Sequence, residues 1–130
     1  MAFADFFQRA DWKQEKHVPV IEAPDSAAKN EAVSINVSVG KEIEHPNTAA
    51  HHIEWIELYF HPQGENNPFH LGRFEFLAHG ASAQGADGGA VYAAPAITCA
   101  MKTARPGEIY ALAYCNIHGL WTSRKSLEVI

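Results

Sequence analysis

Cys115 and His118 place a thiol and an imidazole three residues apart, directly after an apolar run over residues 109–114. The run predicts a buried strand, and Gly119 allows a sharp turn because glycine adopts positive φ at little steric cost. A thiol and an imidazole at a strand end can act as two metal ligands on a rigid base. A cysteine packed in the core beside a hydrogen-bonded histidine would give the same pattern. Further ligands elsewhere in the chain decide between these interpretations.

Histidine is unusually frequent, with eight copies among 130 residues, and this abundance points to metal or proton chemistry. His17 stands two residues before a proline, which predicts an extended segment there. His45 opens a His-Pro-Asn turn, and His51 follows six residues later, directly before an apolar strand. A turn that folds the chain back lets both imidazoles face one point, whereas His52 points to the other side. The other histidines, interpreted as surface or hydrogen-bonded residues, are His61, His70 and His79.

Short apolar runs separated by proline and glycine turns predict a chain made mostly of β-strands. Residues 33–39 carry valine or isoleucine at every second position, which is typical of a half-buried strand. Residues 2–12 carry aromatic residues at roughly helical spacing and predict a short N-terminal helical segment or a pair of turns packed on the domain. The whole pattern favours an all-β antiparallel sandwich. Strands are predicted over residues 32–39, 53–60, 69–77, 96–103, 108–114 and 121–130, with a long surface loop over 80–95.

Composition and charge narrow the range of functions. Hydrophobic residues make up 47% of the chain and charged residues 19%, as in ordinary globular proteins, and we expect one domain over residues 1–130. The net charge of −5 argues against nucleic acid or an anionic membrane surface as a partner. No apolar run approaches the roughly 20 residues of a membrane span, and the N-terminus lacks a secretory pattern, so we expect a cytoplasmic location. A reducing cytoplasm disfavours a disulfide, and Cys99 is interpreted as core packing.

Five candidate ligands fall at predicted strand ends or turns, and loops at one end of a β-sandwich lie close together. Four imidazole nitrogens and one sulfur exceed the four ligands of a tetrahedral zinc site. They suit iron, with four imidazoles in a plane, a thiolate on the axis and a sixth position open for a small ligand. The five residues are His17, His45, His51, Cys115 and His118.

Three separated segments resemble the signature segments of superoxide reductases, the neelaredoxin/desulfoferrodoxin family. They are residues 15–19 (Glu-Lys-His-Val-Pro), the His-Pro-Asn turn at 45–47 with the His-His-Ile triplet at 51–53, and residues 115–121 (Cys-Asn-Ile-His-Gly-Leu-Trp). The resemblance runs from about residue 6 to residue 129. It implies an immunoglobulin-like β-sandwich that carries one mononuclear non-haem iron. No cysteine precedes Cys99, so the chain resembles the one-iron type without an N-terminal rubredoxin-like module.

The resemblance also implies ligands, a reaction and partners. His17, His45, His51 and His118 would be the equatorial ligands and Cys115 the axial one, and superoxide would be reduced by one electron to hydrogen peroxide. Lys16 would add local positive charge and ordered water for protonation at the open position. Glu15 would supply the carboxylate that can occupy the sixth position of the oxidised iron. The implied electron donor is rubredoxin or a similar small redox protein, and homotetramers are common among one-iron relatives.

Three other functions fit parts of the same pattern. A cupredoxin-like electron carrier also uses histidine and cysteine ligands on a β-sandwich, but it usually takes an axial methionine shortly after the last histidine. The only methionines are Met1 and Met101, and neither follows His118. A metal-free immunoglobulin-like binding module would leave the ordered histidines and cysteine unexplained. A zinc-stabilised structural domain lies between these two alternatives.

Overall fold

Strands and turns account for almost the whole chain. A computed structural model describes residues 1–130, with eight β-strands and one 3-10 helix, Phe3–Phe6. This helix of four residues is too short to cross a membrane. The strands are β1 (Pro19–Glu22), β2 (Ser26–Ala27), β3 (Val33–Val39), β4 (Ile53–Pro62), β5 (Phe69–Glu75), β6 (Ala96–Met101), β7 (Gly107–Cys115) and β8 (Gly119–Val129).

The strands form two sheets, one of three strands in the order β1-β3-β6 and one of five in the order β2-β8-β7-β4-β5. All pairings are antiparallel except that of β2 with β8, which is parallel and two residues long. The prediction of an all-β, immunoglobulin-like sandwich is confirmed. β8 begins at Gly119, two residues before the predicted start, because Cys115 pairs directly with Gly119 across a tight turn.

One hydrophobic core lies between the sheets, and the alternation in β3 shows why. Its valines and isoleucine face inward, and Ile35 is fully buried. Ile56 of β4 and Ile109 of β7 face them from the five-stranded sheet and are also fully buried. Each such side chain contributes about 1.5–3 kcal/mol through burial. Cys99 is partly buried and packs against this core, as predicted.

The N-terminal segment differs in part from its prediction. The helical segment is present, but Phe3 and Phe6 are 69% and 56% exposed, so they form no packed aromatic face. A single 3-10 turn is too short to align all the aromatic residues on one side. Beyond it, the backbone of Gln8 bonds to Leu120 and Thr122, and this bridge attaches the segment to β8.

The pairing registers bring three connecting segments to the same end of the sandwich. Pro19 at the start of β1 pairs with Val39 at the end of β3. In the other sheet, the start of β4 and the end of β7 meet where Ile53 pairs with Cys115. The hydroxyl of Ser123 on β8 donates to the carbonyl of Pro19, which joins the two sheets near this end. The segments before β1, between β3 and β4, and between β7 and β8 therefore converge.

Candidate metal centre

Four imidazoles form a closed ring at this end of the sandwich. Neighbouring ring centroids are 4.5–4.9 Å apart, and the distance across the ring, between His17 and His51, is 6.4 Å. Ligand atoms of His17, His45, His51 and Cys115 all lie within 4.8 Å of one another. The structure thus brings all the predicted metal-ligating residues to one place, with His118 completing the ring.

His118 joins the cluster through its Nδ1 atom. This nitrogen is 3.0 Å from His17 Nε2, 3.2 Å from His51 Nε2 and 3.8 Å from Cys115 Sγ. A single N–H on this nitrogen cannot form a linear hydrogen bond to all three atoms at once. A cation at their centre would accept lone pairs from all of them. The donor set therefore fits a metal ion better than it fits hydrogen bonds alone.

Cys115 is fully buried at the end of β7, where the chain leaves the sheet. Its Sγ accepts a hydrogen bond from the backbone N–H of His118 at 3.3 Å. A backbone donor of this kind favours the thiolate form of a sulfur ligand and tunes a metal bound to it. A backbone N–H of the turn is thus a hydrogen-bond donor to the sulfur.

His45 provides the sharpest test of whether a metal fits. The residue is 4% exposed, and its Nδ1–H donates to the carbonyl of Pro46 at 2.6 Å. The lone pair is therefore on Nε2, which is buried and has no hydrogen-bond partner. Burial lowers the pKa of His45 from 6.5 to about 4, so the ring is neutral near pH 7. A buried acceptor without a partner is costly, and a neutral imidazole with a free lone pair is the form that binds metals.

His17 is oriented by a carboxylate and an indole. Its Nδ1–H donates to Glu15 Oε1 at 2.6 Å, and this bond, more than any other interaction, lowers the pKa of Glu15. The bond leaves the lone pair on Nε2, which points into the cluster. Trp121 stacks on one face of the imidazole, with ring centroids 5.0 Å apart and planes 14° from parallel. In this structure the carboxylate of Glu15 is thus hydrogen-bonded to His17 and orients its imidazole.

Lys16 is half-buried and forms no ion pair with a carboxylate. Burial is the main cause that lowers the pKa of His51, and the charges of His118, His17 and Lys16 lower it further. The ammonium also contributes to the lowered pKa of His45. Its positive charge therefore opposes the protonation of these two imidazoles. His118 and Ile117 are exposed, so solvent reaches the cluster from the side of the β7–β8 turn.

The sequence pattern described as Desulfoferrodoxin matches residues 9–124. The chain belongs to the desulfoferrodoxin family. Neelaredoxin of Megalodesulfovibrio gigas is 49% identical over 129 residues, which cover 99% of each chain. Superoxide reductase of Pyrococcus furiosus is 50% identical over 125 residues, which cover 96% of this chain and 98% of the relative. A solved structure from Thermotoga maritima, 53% identical, covers all of this chain and 98% of its own, with a TM-score of 0.97.

The other histidines lie outside the cluster. His52 Nδ1 donates to the carbonyl of Thr48, and its ring stacks on His79 with centroids 3.6 Å apart, so it faces away as predicted. His79 is buried, with Nδ1 near Asn47 Oδ1 and Nε2 near a backbone carbonyl. His61 Nε2 donates to a backbone carbonyl, and His70 is exposed. His61, His70 and His79 therefore fit the interpretation as surface or hydrogen-bonded residues.

Two residues that support the His118 backbone could not be identified from the sequence. Gln8 Nε2 donates to the carbonyl of His118 at 2.8 Å, and Trp121 Nε1 reaches the same oxygen at 3.3 Å. Gln8 and His118 are 110 residues apart in the chain, so no local sequence pattern predicts their contact. The resemblance covered Trp121 by position, but the stacking on His17 depends on how β8 lies against the segment before β1.

Proposed function

We propose that this protein is a superoxide reductase that converts superoxide to hydrogen peroxide at one mononuclear non-haem iron. The ligands would be the imidazoles of His17, His45, His51 and His118 and the thiolate of Cys115. The observation that carries this proposal is the buried, unpartnered Nε2 of His45 inside a ring of four imidazoles beside a thiol. Four nitrogens and one sulfur suit iron better than a tetrahedral zinc site. Relatives about 50% identical that are named superoxide reductase support the same activity.

The reaction needs one superoxide anion, one electron and two protons for each hydrogen peroxide. When bound, ferrous iron would supply the electron. The four imidazoles are uncharged ligands, so a single thiolate leaves the centre attractive to an anion. The ammonium of Lys16 adds positive charge locally, which matters because the whole chain carries −5. Access from solvent past His118 allows both the anion and the protons to enter.

Glu15 would have two roles in this scheme. In the arrangement described above, its carboxylate accepts the Nδ1 proton of His17 and fixes that ring. Such a contact keeps the imidazole in one tautomer and makes it a stronger ligand. We further propose that Glu15 can leave His17 and occupy the sixth ligand position when the centre is oxidised.

The remaining parts of the proposal concern organisation and partners. Residues 1–130 would act as one iron-binding domain, which the single core between the two sheets supports. A small redox protein such as rubredoxin would return the electron after each turnover. Copies of the chain would assemble as a homotetramer.

Metal analysis and the visible spectrum of anaerobically purified protein test this function. We expect about one iron per chain and a thiolate-to-iron charge-transfer band that appears with ferricyanide and disappears with ascorbate. Cys115→Ser should abolish the band, whereas the matched variant Cys99→Ala should keep it. Copper with an intense blue band, zinc in a colourless protein, or no metal at all would each refute the proposal.

The cupredoxin-like alternative gains no support from the position of the methionines. Met101 is buried on β6 and pairs with Val33 at the start of β3. The cluster lies beyond Val39, at the other end of β3. Six residues of strand separate Val33 from Val39, which puts Met101 about 20 Å from that end. Met1 is almost fully exposed at the N-terminus. Neither sulfur can serve as an axial copper ligand.

A further inference from the structure

Asn116 is the first residue of the turn between β7 and β8, and its side chain reaches the segment that carries His51. Its Oδ1 accepts a hydrogen bond from the backbone N–H of His52 at 2.9 Å. Its Nδ2 donates to the backbone carbonyl of Ala50, also at 2.9 Å. The two arms of one amide therefore hold the residue before His51 and the residue after it.

These bonds extend the ladder between β4 and β7 beyond its last pair, Ile53 and Cys115. The backbone N–H of Asn116 donates to the carbonyl of His52 at 3.2 Å. In a regular antiparallel pair, a backbone carbonyl would return this bond. Here the side-chain Oδ1 of Asn116 accepts from His52 instead. The backbone can therefore turn toward His118 without losing its pairing to the segment before β4.

His51 depends on this backbone support more than the neighbouring ligands do. His17 and His45 each have an Nδ1–H that donates to a protein oxygen, which fixes the ring. No protein group bonds to the corresponding nitrogen of His51. Apart from the contact between the imidazoles of His51 and His118, Asn116 supplies the only side-chain hydrogen bonds between residues 45–52 and the β7–β8 turn. The Asn116 side chain therefore adds to the Ile53–Cys115 pair and to its own backbone bond in placing His51 relative to Cys115. The backbone of His51 also bonds to Thr48, but Thr48 belongs to the same segment.

We propose that Asn116 is a positioning residue that holds His51 in register with Cys115 and His118 for metal binding. This inference rests on the metal centre proposed above. Groups that support metal ligands typically change metal affinity by about 10- to 100-fold when they are removed. We expect a loss in this range for Asn116→Ala. Asn116→Asp keeps an acceptor for His52 but places a carboxylate oxygen against the carbonyl of Ala50, so it should also lose affinity.

Titration of metal-free protein with cobalt(II) alone tests the proposal. The thiolate-to-cobalt absorption band, read against a competing chelator of known affinity, reports the dissociation constant. Asn36→Ala is the matched control, because Asn36 on β3 also accepts a side-chain hydrogen bond, from Thr98, but belongs to the other sheet. The control should bind cobalt as tightly as the wild-type protein. If Asn116→Ala does not fold, Asn116→Asp serves in the same comparison.

A double-mutant comparison separates positioning of His51 from a general structural role. If Asn116 acts through His51, adding Asn116→Ala to His51→Ala should cost no further cobalt affinity. Equal losses in the two backgrounds would overturn the proposal, and so would an Asn116→Ala affinity within about twofold of wild type. A wild-type protein that binds no cobalt through Cys115 would instead overturn the metal centre itself. The two failures are therefore distinguishable.

Discussion

Acid should destabilise the metal-free protein mainly through His45, because the folded state keeps this imidazole buried and neutral. Burial lowers its pKa from 6.5 to about 4, whereas the unfolded chain protonates it near the ordinary value. Between these two values the unfolded state binds more protons than the folded state does. The free energy of unfolding contributed by His45 is therefore fully present above about pH 6.5 and declines as the pH falls toward about 4.

The size of the effect follows from the two pKa values. A difference between 6.5 and about 4, at about 1.36 kcal/mol per pH unit, gives a limit of about 3 kcal/mol well below pH 4. At pH 5 the same relation gives about 2 kcal/mol relative to pH 7.5. His51, whose pKa is also lowered, acts in the same direction. Glu15 has a lowered pKa as well, so its contribution is lost only at more acidic pH.

Urea denaturation of metal-free protein at pH 7.5 and pH 5 measures this loss. His45→Gln removes the titrating group, so the variant should lose about 2 kcal/mol less than the wild-type protein between the two pH values. His70→Gln is the matched control, because His70 is exposed, and it should behave like wild type. Equal losses in His45→Gln and wild type would refute the assignment of a buried, neutral imidazole to this position.

Three further predictions concern activity, metal content and stability. Lys16→Ala should slow the second-order reaction with superoxide at low salt and leave iron content unchanged; pulse radiolysis measures the rate, and an unaltered rate would contradict local steering. Cys99→Ala should keep a full complement of iron by metal analysis, since Cys99 packs on β6 away from the cluster; loss of iron would contradict the packing role. Ile35→Ala should lower the free energy of unfolding by about 2–5 kcal/mol in urea, because Ile35 is fully buried; a loss below about 1 kcal/mol would show that the core can collapse around it.

Most strands could be predicted from the sequence because burial on one face imposes a period of two. In β3 the pattern is complete, and the structure places its start and end at Val33 and Val39, within one residue of the prediction. β4 runs to Pro62, two residues beyond its predicted end at Phe60. It does so because the pairing with β7 continues as far as Pro62, which pairs with Gly107. Local patterns thus predict the presence of a strand better than its ends, because the ends depend on how far the partner strand continues the pairing.

Several features lie beyond local patterns because they depend on partners far away in the chain. β2 has two residues with no hydrophobic period, and it forms only because Ser26 pairs with Glu128. The support that Gln8 gives to His118 spans 110 residues. The contacts of the Asn116 side chain with Ala50 and His52 leave no trace in the sequence pattern, since an amide beside a cysteine carries no signal of what it contacts. The predicted ligands were easier to find because histidine and cysteine are informative by residue type alone.

The origin of the ligands suggests why the centre belongs at this end of the fold. His17 precedes β1 and His45 follows β3, so both come from the three-stranded sheet, whereas His51 and Cys115 border strands of the five-stranded sheet. A metal ion held by all of them would join the two sheets where the hydrophobic core ends. Binding to the folded state alone adds about 2.7 kcal/mol of stability at a free metal concentration 100 times the dissociation constant. Because one ion would bridge both sheets, the distance between the sheets and the geometry of the centre would be set together. Core packing near Val39 would therefore influence the metal site without touching it.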